Sequence, residues 1–287
     1  MKAIKEHIKK DLSDLNQKNI LSSAVKLNED LGHQFVSNKC VPLYFNGKFD
    51  ANTVLVMLNP GFEKENYSFS NDDNYKNKTD NELINLYIEN CINYGNKFRS
   101  TGNTDPFDLK QAAFLYHFDN SGISIPDFFD SKDKELKLKA QENVLMQKLQ
   151  LELIPYCSRE FKAVLDNQKL ATKNIDAFKP YIERVLDAII EHKRNNIIFC
   201  AKQFMYLFQA YKNAGYGNIT FGDEIPFKIE NLQKKVYFKT VSINYKSETI
   251  NAGIAYSFPR RDLPSAHKQM CEYGKLCYNE LKKFKNS

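Results

Sequence analysis

Six consecutive apolar or β-branched residues, Thr53-Val54-Leu55-Val56-Met57-Leu58, run straight into Asn59-Pro60-Gly61. A run with no polar alternation suits a strand covered on both faces, as in a parallel sheet with helices above and below it. The Asn-Pro-Gly corner ends it sharply, because Pro has no N–H to extend a ladder and Gly tolerates a tight turn. Such a strand needs neighbours, and three further runs supply them: residues 149–154, ended by Pro155, residues 196–200 and residues 236–243. Residues 250–256 read as an edge or loop segment.

Helical periodicity fills the intervals, over residues 81–98, 108–118, 134–148, 175–192 and 202–212. A last helix, from about residue 265 to 283, sets Met270, Tyr273, Leu276, Cys277 and Leu281 on one stripe that should pack on the sheet. Strands alternating with helices of this length predict an α/β fold, a three-layer α/β/α sandwich around a mainly parallel sheet of about four strands. Ahead of it, Ile4, Ile8, Leu12 and Leu15, then Leu21, Val25 and Leu31, describe amphipathic helices with a break near Asn19. Residues 1–38 are therefore expected to form a helical N-terminal extension packed on the core, and residues 39–287 the α/β domain.

Composition removes several function classes. The six cysteines contain no C-x-x-C pair, and the closest two, Cys271 and Cys277, are six positions apart, so no structural metal or iron-sulfur cofactor is expected. No signal-like N-terminus and no apolar run of about eighteen residues occurs, which predicts a cytoplasmic chain with no membrane partner. No phosphate-binding Gly-rich loop, no nucleophile elbow and no zinc-protease motif is present either. The net charge of +6 favours a polyanionic partner only if the cations cluster. The chain is expected to be a monomer.

In open α/β sheets, ligands bind outside the carboxyl ends of the strands, so the residues after each run carry the functional reading. These corners are Asn59-Pro60-Gly61-Phe62, Pro155-Tyr156-Cys157-Ser158-Arg159, Ala201-Lys202-Gln203, and the stretch from Ser257 to Ser265. An Asn held by the following Pro can position a water, and a Gly lets backbone approach a planar ring.

On these residues the chain resembles the uracil-DNA glycosylase superfamily. Val54-Leu55-Val56-Met57-Leu58-Asn59-Pro60-Gly61-Phe62 resembles its first motif, in the Asn-Pro-Gly version shared by thymine- and mismatch-specific and single-strand-selective monofunctional enzymes. Leu151 to Cys157 is similar to the family's middle strand. Phe258-Pro259-Arg260-Arg261-Asp262-Leu263-Pro264, with a helix beginning at Ser265, resembles the loop that wedges into the duplex. The resemblance implies that Asn59 positions the attacking water. It implies a base pocket of Leu58, Pro60, Gly61, Phe62, Pro155, Tyr156 and Phe258, and DNA contacts from Lys202, Gln203, Arg260, Arg261, Leu263 and Ser265. The sequence departs from the family at Phe258, where the family has its catalytic His, and at Arg260 and Arg261, which replace its Ser and second Pro. His267 lies nine residues beyond Phe258.

Cleavage of an N-glycosidic bond builds positive charge on the sugar and negative charge on the leaving base, so it needs a placed water and donors aimed at the base. Losing one such donor costs roughly 2.7 to 4 kcal/mol unless another group replaces it. The expected function is a monofunctional DNA glycosylase acting on a flipped-out base, without a cofactor. Its target is uracil-like, or an enlarged base such as a modified cytosine of phage DNA, in a repair or phage-defence setting. The alternative is a superfamily member that binds nucleic acid without excising a base.

Overall fold

The computed structural model describes residues 2–59, 78–94, 100–118, 123–158, 161–228, 235–256 and 267–286. Its centre is the strand that the sequence marks most strongly. After β1 (Phe45–Gly47) comes β2 (Thr53–Met57), buried along its whole length. It pairs in parallel with β3 (Leu149–Glu152) on one edge and with β4 (Asn196–Phe199) on the other. Val54 and Val56 enter one apolar core, while Leu55 and Met57 enter a second, as the two-residue period of a strand requires.

Helices occupy both faces. The valine side carries α1 (Lys2–Lys18), α2 (Ser22–Leu31) and α3 (Asp80–Ile92), and further along the chain α6 (Lys162–Leu165), α7 (Gln168–Lys173), α8 (Ile175–Ile190) and α9 (Gln203–Asn213). The other side carries α4 (Pro106–Leu115), α5 (Lys134–Gln147) and α10 (His267–Asn286). Local chemistry sets their starts. Thr79 and Glu82 form a capping box before α3, and Asp105 and Asp133 accept backbone N–H groups at the starts of α4 and α5. Asp105-Pro106 starts α4 two residues earlier than its apolar periodicity suggests. Asn19 takes a left-handed φ of 52° between α1 and α2, at the break the sequence predicts. Ile4, Ile8, Leu12 and Leu15 lie in the same core as Val54.

The sheet is larger than the four strands expected. Among the described residues it has seven, in the order β1-β3-β2-β4-β7-β6-β5, adding β5 (Asn218–Lys228), β6 (Lys235–Tyr245) and β7 (Glu248–Ala255). The central four, β3-β2-β4-β7, are parallel, whereas β1, β6 and β5 run antiparallel to their neighbours. Residues 250–256 are not an edge: most of them form β7, which pairs with β4 on one side and β6 on the other. Polar Asn251 and the small residues around it masked a central strand. The edge on this side is β5, whose Gly222-Asp223-Glu224 and Pro226 resemble a loop in sequence. A register shift between Phe221 and Glu224 accommodates them, a device suited to an unpaired edge.

One glycine shows how closely the second core is packed. A Cβ on Gly274 of α10 would stand 1.8 Å from the carbonyl oxygen of Phe114 in α4. A Gly-to-Ala change inside a helix ordinarily gains about 1 kcal/mol. Here overpacking costs about 1–3 kcal/mol, so the backbone clash outweighs the propensity gain. Gly274→Ala is expected to lower the denaturant midpoint at unchanged m-value; a midpoint equal to or above the parent's would show that α10 and α4 do not touch this closely.

Candidate active site

Taken in chain order, the four parallel strands lie second-first-third-fourth across the sheet. The connection from β2 to β3 leads one way, and the connection from β3 to β4 leads back past β2. The winding therefore reverses between β2 and β4, and an open crevice forms at the carboxyl ends of the strands beside such a reversal. Leu58-Asn59 leaves β2 on one side of that reversal, and Cys200-Ala201-Lys202 leaves β4 on the other. Cys200 N–H donates to Val56 O (2.8 Å), which keeps the two exits in step.

The β2 exit is fixed through its other neighbour. Leu153 N–H donates to Met57 O (2.9 Å) and Ile154 N–H to Leu58 O (2.8 Å), so the ladder continues to the edge of the corner. Asn59 Nδ2 then reaches Ser158 O at 3.4 Å, long enough to orient the amide but weak as a bond. Ser158 is itself held by residues far upstream. It bridges to Val36, and Ser37 N–H donates to Cys157 O (2.9 Å). Asn28 of α2 accepts from Phe35 N–H (2.7 Å) and Val36 N–H (2.9 Å), and donates to Val36 O (3.0 Å). The N-terminal segment thus reaches the Asn59 corner through a continuous set of hydrogen bonds.

The other expected site residues fall into three groups. Leu58 and Asn59 are half-buried at the corner; Lys202 is exposed and Gln203 half-buried at the start of α9. Lys202 Nζ lies 5.4 Å from the centre of the Tyr206 ring. Pro155 accepts from Leu43 N–H (2.7 Å), and Tyr156 turns into the core, 1% exposed, edge-on to Tyr181. Pro60, Gly61, Phe62, Phe258, Arg260, Arg261, Leu263 and Ser265 lie outside the described residues. His267, the first residue of α10, packs against Phe128, where burial and then Lys137 and Lys110 lower its pKa.

Two features beside the corner have no counterpart in the sequence reading. On the valine side, Arg184 of α8 is buried between the rings of Tyr44 and Tyr181 and donates to Glu152 O (3.0 Å) and Leu153 O (2.6 Å). It clamps the end of β3 from that face. On the opposite face, Lys148, Gln150 and Glu152 form a buried ladder: Lys148 Nζ donates to Gln150 Oε1 (2.7 Å), and Gln150 Nε2 to Glu152 Oε1 (2.6 Å). Glu152 is the Cα partner of Met57, two residues before Asn59, and its Oε2 has no hydrogen-bond partner among the described residues. Alternating Lys-x-Gln-x-Glu inside a strand covered on both sides is the signal that identifies it.

Burial pushes the Glu152 carboxyl up to about 8, against weaker opposition from its bond to Gln150 and the charge of Lys148. Burial likewise lowers Lys148 to about 8, with Asp108 and Glu152 opposing, and raises Asp108 of α4 to about 7. Glu152 is therefore a neutral acid at pH 7, able to donate a proton. Among the described residues, no group of three His, Cys, Asp or Glu side chains is placed to hold a metal ion, and no helix is long and apolar enough to cross a membrane.

Comparison with protein-family models, with curated proteins and with solved structures finds no match to this chain.

The raised carboxyl has a thermodynamic consequence. The unfolded Glu152 releases its proton near 4.5 and the folded one near 8, so between those values the folded state holds the extra proton. Stability must then fall as pH rises through that window and level off above it. Asp108 adds to the fall up to about pH 7, whereas Lys148 acts in the opposite sense only above about 8. Thermal unfolding of Glu152→Gln between pH 5 and 8 should show a shallower decline than the parent. Equal slopes would mean that Glu152 ionises as an ordinary carboxyl.

Proposed function

We propose that the chain is a monofunctional DNA glycosylase of the uracil-DNA glycosylase type, hydrolysing the N-glycosidic bond of a flipped-out uracil-like or modified base. The observation that carries this reading is the placement of Asn59: it ends the first parallel strand at the point where the winding reverses. That is where an α/β sheet of this order offers a crevice. The helices on the two faces support reading the architecture as the α/β/α sandwich expected of that superfamily.

In this reading the Asn59 amide oxygen accepts from the attacking water while Nδ2 is oriented by Ser158 O. Water held in line with the anomeric carbon needs no metal, since the departing base stabilises its own charge when donors face it. Lys202, at the exit of β4, contacts a phosphate of the strand from which the base is extruded.

A second reading is favoured by Phe258, which stands where the superfamily's catalytic His is found. A protein lacking that donor can retain nucleic-acid binding without excision. Oligonucleotides carrying uracil, a thymine mismatch, hydroxymethylcytosine or glucosyl-hydroxymethylcytosine separate the two, scored for abasic sites. Excision from at least one substrate is expected, with Asn59→Ala slowing the chemical step by about 10²-fold or more. Uniform, salt-sensitive binding with no abasic product establishes the binding reading instead. Excision that survives Asn59→Ala undiminished removes Asn59 from the mechanism.

A further inference from the structure

At the amino ends of β4 and β7, the opposite end of the sheet from Asn59, lies a cleft of about 800 Å³. It is bounded by the end of α8, the residues leading into β4, the start of β7 and the last turns of α10. Its floor is apolar, with Ile197, Ile250 and Leu281 all buried. Its walls carry Lys193, Arg194, Lys282 and Lys285, while Glu248 is the carboxylate among the lining residues. None of these four cations makes an ion pair with a described carboxylate.

The cations are not arranged as solvated surface charge alone. Arg194 is anchored through Nη1 to Ala51 O (2.5 Å) and Nη2 to Ala188 O (3.4 Å), which leaves Nε buried with no hydrogen-bond partner among the described residues. Asp50 and Glu191 offset part of its charge, without matching the loss of hydration. The Lys285 amine donates to the Asn195 carbonyl, so its stem is folded into the cleft wall. Asn251 adds an amide at the β7 side. Four like charges gathered around one concavity repel each other, and an anion between them relieves that repulsion.

The volume is that of a small-molecule site, and an apolar floor beneath a cationic rim matches a flat heterocycle joined to phosphates. We infer that this cleft is a second ligand site, separate from the Asn59 corner, that takes a nucleoside polyphosphate. The phosphates lie among Lys193, Arg194, Lys282 and Lys285, and the base covers Ile197 and Ile250. The inference does not depend on the glycosylase reading.

The test uses the full chain, titrated calorimetrically with ATP, with inorganic tripolyphosphate and with adenosine. ATP should bind at one site per chain, more tightly than either fragment. Lys193 and Lys282 are exposed, so reversing both, Lys193→Glu with Lys282→Glu, leaves the fold intact and should weaken ATP binding about tenfold or more. Lys275→Glu, an exposed position on α10 away from the cleft, should leave it unchanged. Asn59→Ala should also leave it unchanged, which separates this site from the proposed catalytic one. The assignment fails if ATP does not bind, if tripolyphosphate binds as tightly as ATP, or if Lys275→Glu weakens binding as much as the paired reversal does.

Discussion

β2 has neither an open edge nor an open face. Both edges are taken by parallel neighbours, and its side chains enter two separate cores by turns. Each such side chain contributes roughly 1.5–3 kcal/mol by leaving water, and a one-residue slip would exchange the two sets. The register of the whole sheet is therefore set at this strand. The point at which the chain departs from it, Leu58-Asn59, is set to the same accuracy. The Asn59 amide is therefore carried on a backbone that cannot drift.

β3 is held in place differently. One face of its end is clamped by the Arg184 guanidinium on two successive carbonyls, and the other carries the Lys148-Gln150-Glu152 ladder. Burying Lys and Glu is unfavourable, and replacing such groups with apolar ones is often neutral or stabilising. The ladder sits beside Met57 and Cys200, beneath the exits of β2 and β4, where an apolar strand would serve stability better. Its Glu152 oxygen, without a hydrogen-bond partner among the described residues, is the clearest departure from a design for stability alone. Such departures concentrate at functional sites.

Much of the fold is legible in the sequence alone. The run from Thr53 to Leu58 defines a doubly covered strand because only apolar residues can occupy both faces, and the helical stripes of α1, α8 and α10 follow from their spacing. What escaped is what local pattern does not encode. β7 is central although it carries Asn251 and Gly253, because the Phe238 ring of β6 covers Gly253 from the neighbouring strand. β5 is a strand although it contains Gly222 and Pro226, because an edge tolerates both. At the candidate site, Asn59 was legible as a corner residue. Arg184 and Glu152 were not: one arrives from a helix 32 residues beyond the carbonyl it binds, and the other is polar in a strand read as apolar.

The N-terminal segment is tied to the sheet's carboxyl end more closely than its place in the sequence suggests. As sequence, residues 1–38 read as two amphipathic helices ahead of the sheet, an extension packed on the core. In the structure, Asn28 fixes the backbone of Phe35 and Val36, which meets Cys157 and Ser158, and Ser158 O faces the Asn59 amide. Tyr44, whose hydroxyl donates to Asp11 of α1 (2.7 Å), also supplies a ring face to Arg184. Two separate paths therefore run from the first two helices to the ends of β3 and β2. Removing those helices would expose a core face and also release the carbonyl that orients Asn59. The segment belongs to the corner as much as β2 does.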